Sequence, residues 1–114
     1  MKTHIQFILI AGIGFASCSK DKTNQVNLSN ETCTSSTISY SKDIAPIMSA
    51  NCISCHNSGN QSGNTNLSSF EMVNKNATKA LTAIQNGSMP PNGKMEDSVM
   101  IKLNCWISQG KKNN

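Results

Sequence analysis

The chain has no arginine, and its ten lysines stand against six acidic residues for a net charge of +4. Those lysines are scattered rather than clustered, so the electrostatic footprint of a nucleic-acid-binding protein is missing. Aromatic residues are scarce: Phe7, Phe15, Tyr40, Phe70 and Trp106 are the whole set, two of them near the start. A small domain this short of large apolar side chains needs a staple or an internal cofactor to complete its core. Strand-like alternation of apolar and polar residues is absent, as are internal repeats. No apolar run reaches the roughly 20 residues that span a bilayer. At 114 residues there is room for one domain.

What is present begins with an apolar run, "IQFILIAGIGFA", behind the single lysine of "MKTH". That length suits the core of a signal peptide. It ends in "FASCSK", where small residues precede Cys18, and this resembles a bacterial lipobox. Phe15 departs from the leucine usual three places before the cysteine. The expectation is a lipoprotein signal peptide over residues 1–17, cleaved so that Cys18 carries lipid and anchors the chain to a membrane. Ser19 is not the aspartate that holds some lipoproteins in the inner membrane. The expected location is therefore the cell envelope, at the outer membrane facing the periplasm, with the cell surface as the alternative.

Outside the cytosol a free thiol tends to oxidise, so every other cysteine needs an occupation. Cys33 and Cys105 form an even pair, one near each end of the exported chain, and are expected to be bridged. Cys52 and Cys55 belong to the motif "CISCH". From residue 18 to 39 the chain is rich in Asn, Ser and Thr and cannot bury much apolar surface. It is expected to be a flexible, lipidated tether.

The folded domain is expected over residues 40–112, and it reads as all-α, with three to four helices. Ile44, Ile47 and Met48 share one helical face, with Asp43 as the expected N-cap and Pro46 in the first turn. Ser68 and Glu71 have capping-box spacing ahead of a stripe of Val73, Ala77, Leu81 and Ile84. Asn74-Lys75-Asn76 is a candidate break in that helix, and Asn86-Gly87 its stop. A last helix, capped by Asp97, presents Met100, Leu103, Trp106 and Ile107, and Gly110 ends it.

Three chemistries use Cys-x-x-Cys. A thioredoxin-like redox pair sits on a βαβ frame, which is missing here. A structural zinc site usually draws on a second close pair of ligands, whereas Cys33 and Cys105 each stand alone and His4 lies in the signal. Covalent haem attachment demands this spacing: two thiols add across the haem vinyl groups, and the next residue places an imidazole under the iron. Cys52 and Cys55 are thus the expected attachment residues for one haem c, and His56 the expected proximal iron ligand. Of the six methionines, Met72 and Met100 fall at apolar helical positions, where methionine usually fills core space. Met89 and Met95 lie in loops. The two prolines after Met89 hold the backbone extended, so a thioether can reach iron there without unfolding a helix. Met89 is the expected distal ligand and Met95 the runner-up.

The order "CISCH", middle helix, "GSMPPNGK" and a final helix ending "CWISQG" resembles class I cytochrome c. With "YSKDIAPIM" opening the folded part, the chain is similar to the small haem-c lipoproteins of Bacteroidetes-type bacteria. The resemblance covers residues 38 to 112. It implies terminal helices crossing beside the haem, Trp106 packing nearby, and Pro90 and Pro91 in the loop that follows the ligand. It does not require a disulfide.

The function expected on these grounds is one-electron transfer between redox partner proteins of the envelope, by a monomer that is not an enzyme. The alternative is a peroxidase-like or gas-sensing haem-c protein whose sixth iron position is open or displaceable. Asp43, Glu71, Glu96 and Asp97 read as caps and solvated surface, not as an acid–base pair.

Overall fold

The computed structural model describes residues 33–114. The expected signal peptide, Cys18 and the first part of the expected tether lie outside the described residues. Within them the fold is all-α: α1 (Ala45–Asn51), α2 (Phe70–Gln85) and α3 (Asp97–Ser108), with no strand. A wide π turn, Tyr40–Ile44, leads directly into α1, and a short 3₁₀ turn, Ser62–Asn64, interrupts the loop after it.

Entry into the first helix is fixed by Ser39, not Asp43. Ser39 has extended φ/ψ, and its hydroxyl accepts from the Lys42 N–H at 3.3 Å. Asp43 answers from inside the turn, its carboxylate accepting from the Ser39 N–H at 3.0 Å. The expected cap is thus the returning partner of a capping-box arrangement that starts four residues earlier. Ala45 bonds back to the Tyr40 carbonyl, the wide register, and Pro46 follows in the first turn of α1. Lacking an N–H, Pro46 has no bond to give at the point where π register passes to α register.

Helix α2 buries Val73, Ala77, Leu81 and Ile84, the stripe expected from the 3.6-residue period. Its cap is Ser69, whose hydroxyl accepts from the Met72 N–H, one residue later than expected. The displaced candidate, Ser68, is engaged elsewhere: its N–H and hydroxyl both donate to the Asn66 side chain, at 2.9 and 2.7 Å. No break occurs at Asn74-Lys75-Asn76. The Asn76 amide donates back to the Met72 carbonyl, and Asn74 donates across to the Lys111 carbonyl while its own carbonyl accepts from Lys111 Nζ. Met72 is not core filling, because it lies one position off the stripe and is 39% exposed. Gly87, at φ +75°, ends the helix in the left-handed region that favours glycine.

Helix α3 buries Met100, Leu103, Cys105 and Trp106, and leaves Ile107 half-buried. Asp97 does not cap it. Asp97 is the first helical residue, in an exposed ion pair with Lys94, and the residue before it, Glu96, makes no side-chain cap bond. Trp106 is wholly buried and forms one aromatic cluster with Tyr40 and Phe70, at ring-centroid distances of 4.9–6.3 Å. These three rings join the π turn, α2 and α3, and so gather the few aromatics of the described chain in one place.

Both ends of the described chain are fastened. Cys33 and Cys105 form a disulfide. Beside it the Gln109 amide donates to the Cys33 and Ser36 carbonyls and accepts from the Ile38 N–H, at 2.8–2.9 Å. Residues 33–38, read from composition as tether, are therefore docked along the end of α3. At the other end the Asn114 carbonyl accepts from the Ser41 N–H and from the Ser39 and Ser41 hydroxyls.

Candidate functional site

Cys52 closes α1 at its C-terminus, and the chain then coils through Ile53 and Ser54 to Cys55 and His56. The Cys55 and His56 N–H groups both donate to the Cys52 carbonyl, at 3.2 and 3.0 Å. One tight turn thereby carries both thiols and the imidazole. The thiols are free, Cys52 half-buried and Cys55 exposed. Burial pushes the Cys52 thiol above its ordinary range.

The loop behind this turn is built from short polar side chains. Asn57 donates to the Ile53 carbonyl and accepts from the Gly59 and Asn60 N–H groups, an Asx turn that folds "NSGN" back on itself. The Ser62 N–H then returns to the Cys55 carbonyl, and the Leu67 N–H to the His56 carbonyl at 2.7 Å. Leu67 is buried in the core. As a result the loop closes around the histidine.

His56 Nδ1 lies 3.1 Å from the Thr65 carbonyl. A carbonyl only accepts, so in the neutral ring Nδ1 carries the proton and Nε2 keeps its lone pair. This is the arrangement by which proteins prepare a histidine to bind a metal through Nε2. Nothing in the local sequence marks Thr65 for the task. Its place is set by the loop closure, whereas the Gly/Asn/Ser composition of residues 57–66 reads as a flexible loop.

Met89 stands on a different element, the loop between α2 and α3. Its N–H donates to the Ala83 carbonyl in the last turn of α2, and its side chain is 37% exposed. Met95, on the same loop, is buried at 8% and belongs to the core cluster. The two loop methionines are therefore not equivalent: Met95 already has apolar neighbours, and Met89 has a thioether to offer.

The donor set can be compared with each chemistry of Cys-x-x-Cys. The disulfide consumes Cys33 and Cys105, the two cysteines that a zinc site would have needed. No group of three His, Cys, Asp or Glu side chains gathers as a metal cluster among the described residues. A thioredoxin-like redox pair would sit on a βαβ frame, and no strand occurs among the described residues. Two unjoined thiols beside an imidazole with a free Nε2 fit a covalently held haem. Comparison with models of known families, with curated proteins and with solved structures gives no match to this chain.

Proposed function

We propose that the chain is a mono-haem c-type cytochrome, an exported one-electron carrier held to a membrane of the cell envelope by lipid on Cys18. The observation that carries this reading is the Cys52–His56 turn, with two free thiols and an imidazole whose Nδ1–H is committed to the Thr65 carbonyl. Cys52 and Cys55 would hold the porphyrin through thioethers, and His56 Nε2 and the Met89 sulfur would ligate the iron. When bound, the haem supplies a one-electron couple whose potential a thioether ligand raises relative to a second imidazole.

Each part of the chain has a role in this reading. The Thr65 carbonyl fixes which ring nitrogen of His56 is free. Exposure makes Met89 the better second ligand than Met95, which would have to leave the core. The four described carboxylates each have a local occupation. Asp43 accepts from Ser39 and pairs with Lys102, and Asp97 pairs with Lys94. Glu96 accepts from the Ser98 hydroxyl, and Glu71 is solvated in the first turn of α2, its carboxyl held low by its own backbone N–H and Ser69.

The test is a pyridine haemochrome and visible spectrum of the protein made in a host with haem-c maturation. A c-type haemochrome with a six-coordinate, low-spin resting spectrum is expected. A five-coordinate spectrum would move the peroxidase or gas-sensing reading ahead, and a haem-free protein would end both. For the anchor, labelled fatty acid should enter the native chain and not Cys18→Ser.

A further inference from the structure

The proximal loop is held from outside by α2, through residues one turn apart. Lys79 Nζ lies 3.0 Å from the Thr65 hydroxyl, and the Asn76 amide lies 3.4 Å from the Asn66 carbonyl. We propose that Lys79 is a positioning residue for the His56 imidazole, acting through Thr65. The inference rests on reading His56 as an iron ligand.

Proton bookkeeping makes the connection directional. An ammonium group only donates, so the Thr65 hydroxyl must accept from Lys79. Its own hydrogen then goes to the Gly63 carbonyl, 3.3 Å away. The hydroxyl is thus held from two sides, by Lys79 and by the Gly63 carbonyl. Thr65 is extended, at φ −120° and ψ 124°, and β-branched residues are stiff about χ1. A hold on Oγ1 is therefore passed to the backbone that aims the Thr65 carbonyl at His56 Nδ1. The return path is the Leu67 N–H bond to the His56 carbonyl, so imidazole and loop brace each other.

Lys79 is itself exposed. Taken alone, its hydrogen bond is one of the weakly contributing surface contacts. Its effect should therefore appear at His56 rather than in overall stability.

The experiment uses the full-length, haem-loaded protein and reads solvent exchange of the His56 Nδ1 proton by NMR. Lys79→Met removes the donor, and Thr65→Val removes the acceptor while keeping the carbonyl and the extended preference. Both should speed exchange by up to about fivefold, the loss of one weak surface hydrogen bond's protection. Lys79→Arg and Thr65→Ser keep a donor and an acceptor and should stay within about twofold of native. Thr65→Val should also raise the reduction potential, because a weaker Nδ1–H bond makes the imidazole a poorer donor to ferric iron. Native exchange rates in both Lys79→Met and Thr65→Val, with haem still attached, would overturn the proposal. So would Lys79→Arg behaving like Lys79→Met. A native protein without haem fails differently: it removes the reading of His56 itself, which the haemochrome shows before any variant is made.

Discussion

Two pairs of cysteines in one small domain meet opposite fates. Cys33 and Cys105 are 72 residues apart in sequence, both buried, and joined. Cys52 and Cys55 are neighbours on one turn, half-buried and exposed, and remain free. Proximity in sequence does not decide pairing. The distant pair is brought together by the docking of residues 33–38 on α3, where the Gln109 amide holds the arm beside Cys105. The near pair sits where α1 unwinds, its two unjoined sulfurs sharing one turn with a histidine. One pair completes the fold, and the other, in the reading proposed above, would hold a haem.

The largest effect expected from breaking this contrast is at the near pair. Cys52→Ala with Cys55→Ala should leave little folded protein by circular dichroism, since the proposed cofactor supplies much of the core. Next comes the distant pair. Cys33→Ser with Cys105→Ser should cost roughly 4 kcal/mol in chemical denaturation, from releasing a long loop in the unfolded chain, yet leave haem attachment intact. Equal loss of haem in both double variants would erase the division of labour.

The two loop methionines sharpen the comparison further. Met95→Ala should destabilise by about 2 kcal/mol, as a buried methionine at the edge of a core does. It should leave the weak far-red band of a sulfur–ferric iron bond in place. Met89→Ala should do the reverse: little change in stability apart from the lost ligand, no band, and a lower reduction potential. Loss of the band in Met95→Ala instead would reassign the ligand.

The smallest effect is at the start of the fold. The Ser39 N–H, with help from Lys102, holds the Asp43 carboxyl below the usual carboxylate range. A depressed folded-state pKa contributes stability above the unfolded value and loses it as pH falls through the folded one. Asp43→Asn should therefore be slightly less stable at neutral pH and show a flatter acid limb. Ser39→Ala should cost about 1 kcal/mol at neutral pH, measured by denaturant titration.

The helical stripes were legible because they depend on a period. Val73, Ala77, Leu81 and Ile84 lie buried where the 3.6-residue repeat puts them. Helix starts were not, because capping is a competition among nearby polar side chains. Asn66 claims Ser68 and leaves the cap to Ser69; Ser39 begins a turn that Asp43 only completes. The Cys52–Cys55–His56 turn was legible as a motif, since one spacing carries it. Thr65 was not, since its carbonyl reaches His56 only after Asn57 and Leu67 have closed the loop. The Cys33–Cys105 bridge was legible from the even cysteine count, but a polar, Asn- and Ser-rich segment reads as tether and gives no sign that Gln109 docks residues 33–38.

The measurement that bears most directly on the contrast between the two pairs is intact and peptide mass spectrometry of the mature protein, alkylated without reduction. The expected result is one haem carried on the peptide with Cys52 and Cys55, neither of them alkylated, and a linked peptide joining Cys33 to Cys105. Alkylated Cys52 and Cys55 with no added haem would contradict it.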